Sequence, residues 1–125
     1  MIRRRFLEIL ALGLLAFPTV SFIVYRLPRP PRLKKVKVNL KPGMVYVDAE
    51  FFLLEGPNGP LALLRRCPHL GCPVSYQPEV GLFVCPCHQS RFKLTGRYVS
   101  GPAKKDLRRL TVEKKKDGYV VEIPV

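Results

Sequence analysis

All four cysteines and both histidines of the 125-residue chain lie between Cys67 and His88. They occupy two short segments, Cys67-Pro68-His69-Leu70-Gly71-Cys72 and Cys85-Pro86-Cys87-His88-Gln89-Ser90. Each segment offers a thiolate and an imidazole from a tight loop, with a second cysteine beside them. Donors gathered so closely form one site, and the chemistry open to it is metal ligation or disulfide formation. Zinc accepts two cysteines and two histidines, but its structural sites usually join a Cys-x-x-Cys type pair to a separate pair of histidines. A purely structural disulfide framework needs no histidines at matched loop positions. A [2Fe–2S] centre with two thiolates on one iron and two imidazoles on the other uses both residue types.

Taken together, C-x-H-x-G-C and C-P-C-H-x-S resemble the signature of the Rieske iron–sulfur family, over roughly the central third of the chain. The resemblance implies one [2Fe–2S] cluster, with Cys67 and Cys85 on one iron and His69 and His88 on the other. Cys72 and Cys87 match the pair that forms a disulfide between the two loops in the high-potential group, which includes subunits of cytochrome bc complexes. Ser90 matches a serine whose hydroxyl donates to a bridging sulfide. Phe92 stands where high-potential members usually carry a tyrosine that donates to a cysteine sulfur, so a lowered potential, suited to menaquinol or a similar donor, is expected. Gly101-Pro102-Ala103 resembles the start of a proline-containing loop that covers the cluster, although Lys104 replaces a common second proline.

The implied ligand set suits a mild electron acceptor. Two ferric ions, two sulfides and two thiolates sum to zero charge, so reduction creates a single negative charge, and potentials fall between about −150 and +300 mV. A ligand imidazole also keeps a ring N–H that can release a proton. His69 and His88 are therefore the candidate groups for quinol docking and proton-coupled electron transfer.

These loops need a scaffold, and the sequence offers three parts: residues 1–27, 28–33 and 34–125. Phe6 to Tyr25 is apolar apart from Glu8, long enough for a helix to cross a membrane. Arg3-Arg4-Arg5-Phe6-Leu7 resembles a twin-arginine export signal. No small-x-small cleavage site follows the apolar run, so retention as an anchor is expected. Tyr25 to Leu33 holds three prolines and reads as a semi-rigid polyproline spacer or hinge. Beyond it the periodicity is two, with Val36, Val38 and Leu40 alternating with lysine and asparagine. Further short apolar runs cover residues 44–47, 51–54, 61–64, 82–84, 98–100, 110–112 and 119–123, with turn signals at Pro57-Asn58-Gly59, Thr95-Gly96 and Asp117-Gly118. The expected fold is mainly β: an antiparallel β-sandwich head with a cluster-binding subdomain, plus one N-terminal transmembrane helix.

The formal net charge is +13. The basic residues are scattered, with no nucleic-acid-binding motif among them, so an anionic membrane surface or an acidic partner is expected rather than nucleic acid. The basic residues after the apolar helix outnumber those before it, and positive-inside bias alone would leave the head in the cytoplasm. The export-like signal and the cysteine chemistry argue for a head on the periplasmic or extracytoplasmic side. The resemblance therefore implies the iron–sulfur subunit of a quinol-oxidising, bc-type complex, working with a cytochrome b-type membrane subunit and a cytochrome c-type acceptor. The alternative is the small electron-relay subunit of an arsenite-oxidase-like molybdenum enzyme, a group whose members also resemble this chain in Cys-Pro-His and Phe92.

Overall fold

The computed structural model describes residues 2–125 and divides between Pro30 and Pro31 into two compact units. The first is a single helix, α1 (Ile2–Arg26), of 25 residues. At about 1.5 Å per residue it is longer than the ~30 Å hydrocarbon core of a bilayer. It is long and apolar enough to cross a membrane, and none of its side chains is buried by protein. Pro18 lies within it and removes one helical N–H donor. On the neighbouring turn the Thr19 hydroxyl donates to the Ala16 carbonyl at 2.8 Å.

The second unit is built from eleven short strands in three antiparallel sheets. Strands β1 (Arg32–Val36), β10 (Val112–Lys115) and β11 (Gly118–Ile123) form the first sheet, with β11 central. The second sheet runs β2 (Val45–Val47), β3 (Phe51–Gly56), β4 (Gly59–Leu64) and β9 (Arg109–Leu110). The third runs β5 (Ser75–Gln77), β6 (Leu82–Val84), β7 (Arg91–Lys93) and β8 (Tyr98–Ser100).

The second sheet is the middle layer, which explains why its strands read as continuous apolar runs rather than alternating ones. Phe51, Leu53 and Ala62 pack with Val36, Leu40, Tyr119, Val121 and Ile123 of the first sheet and its flanks. Phe52, Leu54 and Leu63, which point to the opposite face, pack with Phe83 and Phe92 of the third sheet. Successive side chains of one strand thus feed two cores. The Phe52 and Phe83 rings stack with centroids 4.1 Å apart, joining the middle layer to the subdomain that carries the cysteine loops.

Two differences from the sequence reading concern strand 1 and the spacer. The alternating residues Val36, Val38 and Leu40 mark a strand, but β1 ends where they begin, because its register with β11 runs from Arg32↔Ile123 to Val36↔Tyr119. Lys34 and Lys35 disguise it; Lys34 is held on the sheet by an ion pair of 2.8 Å to Asp48. The segment between α1 and β1 is accordingly residues 27–31, shorter than the proline-rich run suggests. The three-residue strands β5 and β7 carry no sequence signal of their own, since Ser75, Gln77, Arg91 and Lys93 are polar.

Candidate metal centre

Both cysteine loops are tips of the third-sheet subdomain and share one backbone frame. In the first, the Cys67 N–H donates to the Cys72 carbonyl at 2.8 Å, and the Gly71 N–H donates back to the Cys67 carbonyl at 2.9 Å. In the second, the Cys85 N–H donates to the Ser90 carbonyl at 2.8 Å, and the Gln89 N–H to the Cys85 carbonyl at 2.9 Å. The fifth position of each loop is left-handed, with φ of 78° at Gly71 and 60° at Gln89. Glycine takes that conformation freely, whereas glutamine holds it at some cost because the surrounding bonds fix it. The stem of the first loop is tied down by Arg65, whose guanidinium donates to the Val74 carbonyl at 2.6 Å and the Asp48 carbonyl at 3.1 Å.

The side chains sort by depth. Cys67 and Cys85 are free thiols, only 3% and 2% exposed, and belong to the core beneath the loops. His69 and His88 are exposed above them, their rings 5.1 Å apart and nearly perpendicular at 85°. Cys72 and Cys87 form a disulfide of 2.08 Å that staples one loop to the other. The Cys85 sulfur lies within 4.8 Å of both disulfide sulfurs. That trio offers no second thiolate, so the donors left for a metal are Cys67, Cys85, His69 and His88.

Burial pushes the Cys67 thiol up from its ordinary pKa; the His69 amide pulls it down, the neighbouring Cys85 sulfur raises it further and the Ser90 hydroxyl lowers it. A Cys67 thiol whose burial favours the neutral form suits a metal pocket, where a cation displaces the proton, rather than a reactive cysteine. A donor set of two buried sulfurs and two solvent-facing nitrogens in facing loops fits a [2Fe–2S] group with mixed ligation.

Ser90 is fully buried, and its hydroxyl accepts the Ala103 N–H at 3.1 Å, leaving its own proton free to donate towards the sulfurs. The strap at residues 101–107 is built to reach it. A Cβ on Gly101, where φ is 100°, would lie 2.5 Å from the Ser90 Cα, so only glycine lets the strap close. Lys104 has φ of 53°, which a proline ring cannot adopt, so the backbone itself accounts for the missing second proline. Three residues that carry no motif position this strap. The Tyr98 hydroxyl donates to the Gly101 carbonyl at 2.6 Å, the Tyr98 N–H donates to Asp106 at 2.8 Å, and Leu107 is buried. Gly101→Ala is expected to lower the melting temperature by about 10 °C or more, from backbone strain and the clash with Ser90. A thermal melt within 2 °C or so of the parent would contradict that reading.

Phe92 is fully buried, opposite Phe83 across β6 and β7 and edge-on to Tyr98 at 6.5 Å, in the same core as Cys67 and Cys85. Phe92→Tyr would add one hydroxyl to that core. If it donates to sulfur, about 1 kcal/mol of added preference for the reduced form raises a one-electron potential by roughly 40 mV. An unchanged midpoint in voltammetry would rule out the missing donor as a cause of a lowered potential.

Comparison with known proteins assigns the family. Residues 30–112 match the family model described as the Rieske [2Fe-2S] domain. A cytochrome b6-f complex iron-sulfur subunit from Parasynechococcus marenigrum (strain WH8102) is 36% identical over 76 residues, which cover 59% of this chain and 43% of the relative. The chain thus spans somewhat less than half the length of that curated relative. Among solved structures, the plasma membrane Rieske protein PetC3 of Synechocystis PCC 6803 is 30% identical, with a TM-score of 0.46 over 58% of this chain and 85% of the other. A chain from a structure described as hyperthermophilic respiratory Complex III has a TM-score of 0.54 at 22% identity, covering 90% of this chain and 97% of that one. The last likeness is one of fold.

Proposed function

The chain belongs to the Rieske [2Fe-2S] domain family, and from that membership we propose that it is the electron-transferring iron–sulfur subunit of a bc-type quinol oxidoreductase. Cys67 and Cys85 would hold one iron of the cluster, and His69 and His88 the other. When bound, such a cluster accepts and returns one electron at about −150 to +300 mV. The observation that carries the reading is the layering of the site: two buried free thiols lie beneath two exposed imidazoles, in loops stapled by Cys72–Cys87.

The work of the protein's own residues follows from that layering. The core of Phe52, Phe83, Phe92 and Val74 keeps water from the thiolate side. Burial of Cys67 and Cys85 favours metal-bound thiolate over free thiolate, because a bare charge there is costly. Ser90, fixed by the Ala103 N–H, directs its hydroxyl proton at the sulfur side. His69 and His88 present ring nitrogens to solvent, where one can accept a hydrogen bond from a quinol hydroxyl and carry its proton. An imidazole that took up a proton as the electron arrived would leave the net charge of the site unchanged, and it would later give up that proton to solvent.

The quinol site would be shared with a cytochrome b-type membrane subunit, and a cytochrome c-type protein would take the electron. Helix α1 would anchor the head, and residues 27–31, with three prolines, would tether it. A disulfide between the loops suits a head on the extracytoplasmic side. The test is electron paramagnetic resonance of native membranes, titrated with quinol and with quinone-site inhibitors. A Rieske signal whose line shape shifts with the inhibitors is the expected result. A signal indifferent to them would overturn the quinol assignment in favour of a relay subunit of another oxidoreductase, such as an arsenite-oxidase-like enzyme.

A further inference from the structure

Charge is distributed unevenly over the head. Residues 64–110, which contain both cysteine loops and the strap, carry nine basic residues (Arg65, Arg66, Arg91, Lys93, Arg97, Lys104, Lys105, Arg108 and Arg109) against two carboxylates, Glu79 and Asp106. The remainder of the head, residues 31–63 and 111–125, carries eight basic residues against six carboxylates. Every ion pair of the head among the described residues, Arg32–Glu50, Lys34–Asp48, Lys114–Glu55 and Lys115–Glu113, lies in that remainder. At the cluster end no basic side chain has a carboxylate partner within 4.0 Å, and Asp106 is engaged by the Tyr98 amide instead. Eight of the nine are exposed; only Arg65 is half-buried.

The unpaired charge borders the loops themselves. Arg66 and Arg108 flank a recess of ≈ 340 Å³ whose other walls are Leu64, Cys67, Pro68, Leu70, Gly71 and Asp106. Arg66 lies across the first loop, its Nε 3.0 Å from where a Cβ on Gly71 would sit. Lys104 and Lys105 ride on the strap that closes over Ser90. Between Arg66 and Arg108 the wall of the recess is apolar and exposed: Leu70 is 70% exposed and shares that wall with Pro68. An apolar centre ringed by like charges with no internal partners is the anatomy of a protein docking surface steered by electrostatics.

We infer that the cluster end docks a redox protein whose surface around its own one-electron centre is acidic, with Arg66 and Arg108 as the principal contacts. This rests on the electron-transfer reading above. An anionic membrane surface would meet the charge equally well, but it would cover the histidines through which electrons leave. In the proposed step one electron passes from the reduced head to the partner's oxidised centre, for example a haem iron(III) that becomes iron(II). No bond forms or breaks.

The test uses the full chain in neutral detergent, loaded with its cluster and reduced, then mixed in stopped flow with one of two acceptors. These are a basic cytochrome c and the same protein with its lysines succinylated, which has the same haem and the opposite surface charge. The succinylated form is expected to oxidise the head at least about tenfold faster at low salt, with the advantage vanishing at high salt. Arg66→Glu/Arg108→Glu should abolish that advantage, the ratio of the two acceptors' rates, while leaving the cluster content and the line shape of the resonance spectrum unchanged. Lys37→Glu/Lys116→Glu, the same charge change on the opposite half of the head, should leave the advantage in place. Equal rates for both acceptors, or equal loss from both double variants, would overturn the docking site. A third result would overturn it in favour of lipid: in anionic vesicles the parent head resists the succinylated acceptor and the Arg66/Arg108 variant does not. Failure of the reduced head to pass an electron to either acceptor would instead sink the electron-transfer reading itself.

Discussion

Cys67→Ser is expected to yield a folded head that holds no cluster, with iron and acid-labile sulfide falling to a small fraction of the parent and the Rieske resonance gone. Cys85→Ser should behave alike. Both thiols are the free, buried pair of the site, and a serine hydroxyl at neutral pH is not the thiolate that iron requires. Cys72→Ser makes the informative contrast. That sulfur is already committed to Cys87, so its loss should leave iron content near one cluster per chain in freshly prepared protein. Iron and sulfide analysis, with far-ultraviolet circular dichroism to confirm the β head, reads both halves of the prediction. Loss of iron from Cys72→Ser and its retention in Cys67→Ser would reverse the division of roles between the cysteine pairs.

The second large effect concerns stability. The double variant Cys72→Ala/Cys87→Ala opens a covalent loop between residues 15 apart in sequence. Closing a loop of that length is worth about 3 kcal/mol by the chain-entropy estimate. A head of this size then melts roughly 12–24 °C lower, since each kcal/mol moves the midpoint of a small domain by about 4–8 °C. The effect falls on the loops first, because each leans on only a few backbone hydrogen bonds and a thin core. The cluster should therefore be lost in hours of aerobic storage, where the parent keeps it. Calorimetry of the holo-forms with timed iron analysis tests this. A melt within 2 °C or so of the parent would mean that the backbone frame of the two loops is sufficient alone.

How much of this was legible in the sequence depended on what each residue had to signal. The central strands β3 and β4 were plain, because Phe51 to Leu54 and Leu61 to Leu64 are buried on both faces and so carry no polar interruption. Strand β1 was misplaced because its basic residues Arg32 and Lys34 are anchored by carboxylates elsewhere in the chain, Glu50 and Asp48, pairings invisible locally. β5 and β7 are three residues long, with Phe92 the one fully buried side chain between them, so periodicity had too few positions to register. The donor residues stood out by composition alone, whereas their division into buried thiols, exposed imidazoles and a disulfide is a property of depth. The shared loop frame was hidden for a sharper reason: Gly71 advertises a left-handed position, but Gln89 adopts the same conformation without any such mark. Tyr98 and Arg65 were likewise silent, since each acts through a backbone carbonyl rather than through a motif.

The most direct test of the central claim is pulsed electron paramagnetic resonance of the purified, reduced chain, read for nitrogen hyperfine coupling. A rhombic [2Fe–2S] signal coupled to two imidazole nitrogens is expected, and the signal should be lost in His69→Ala and in His88→Ala. A [2Fe–2S] signal with no nitrogen coupling, or a silent protein containing stoichiometric zinc, would contradict the claim.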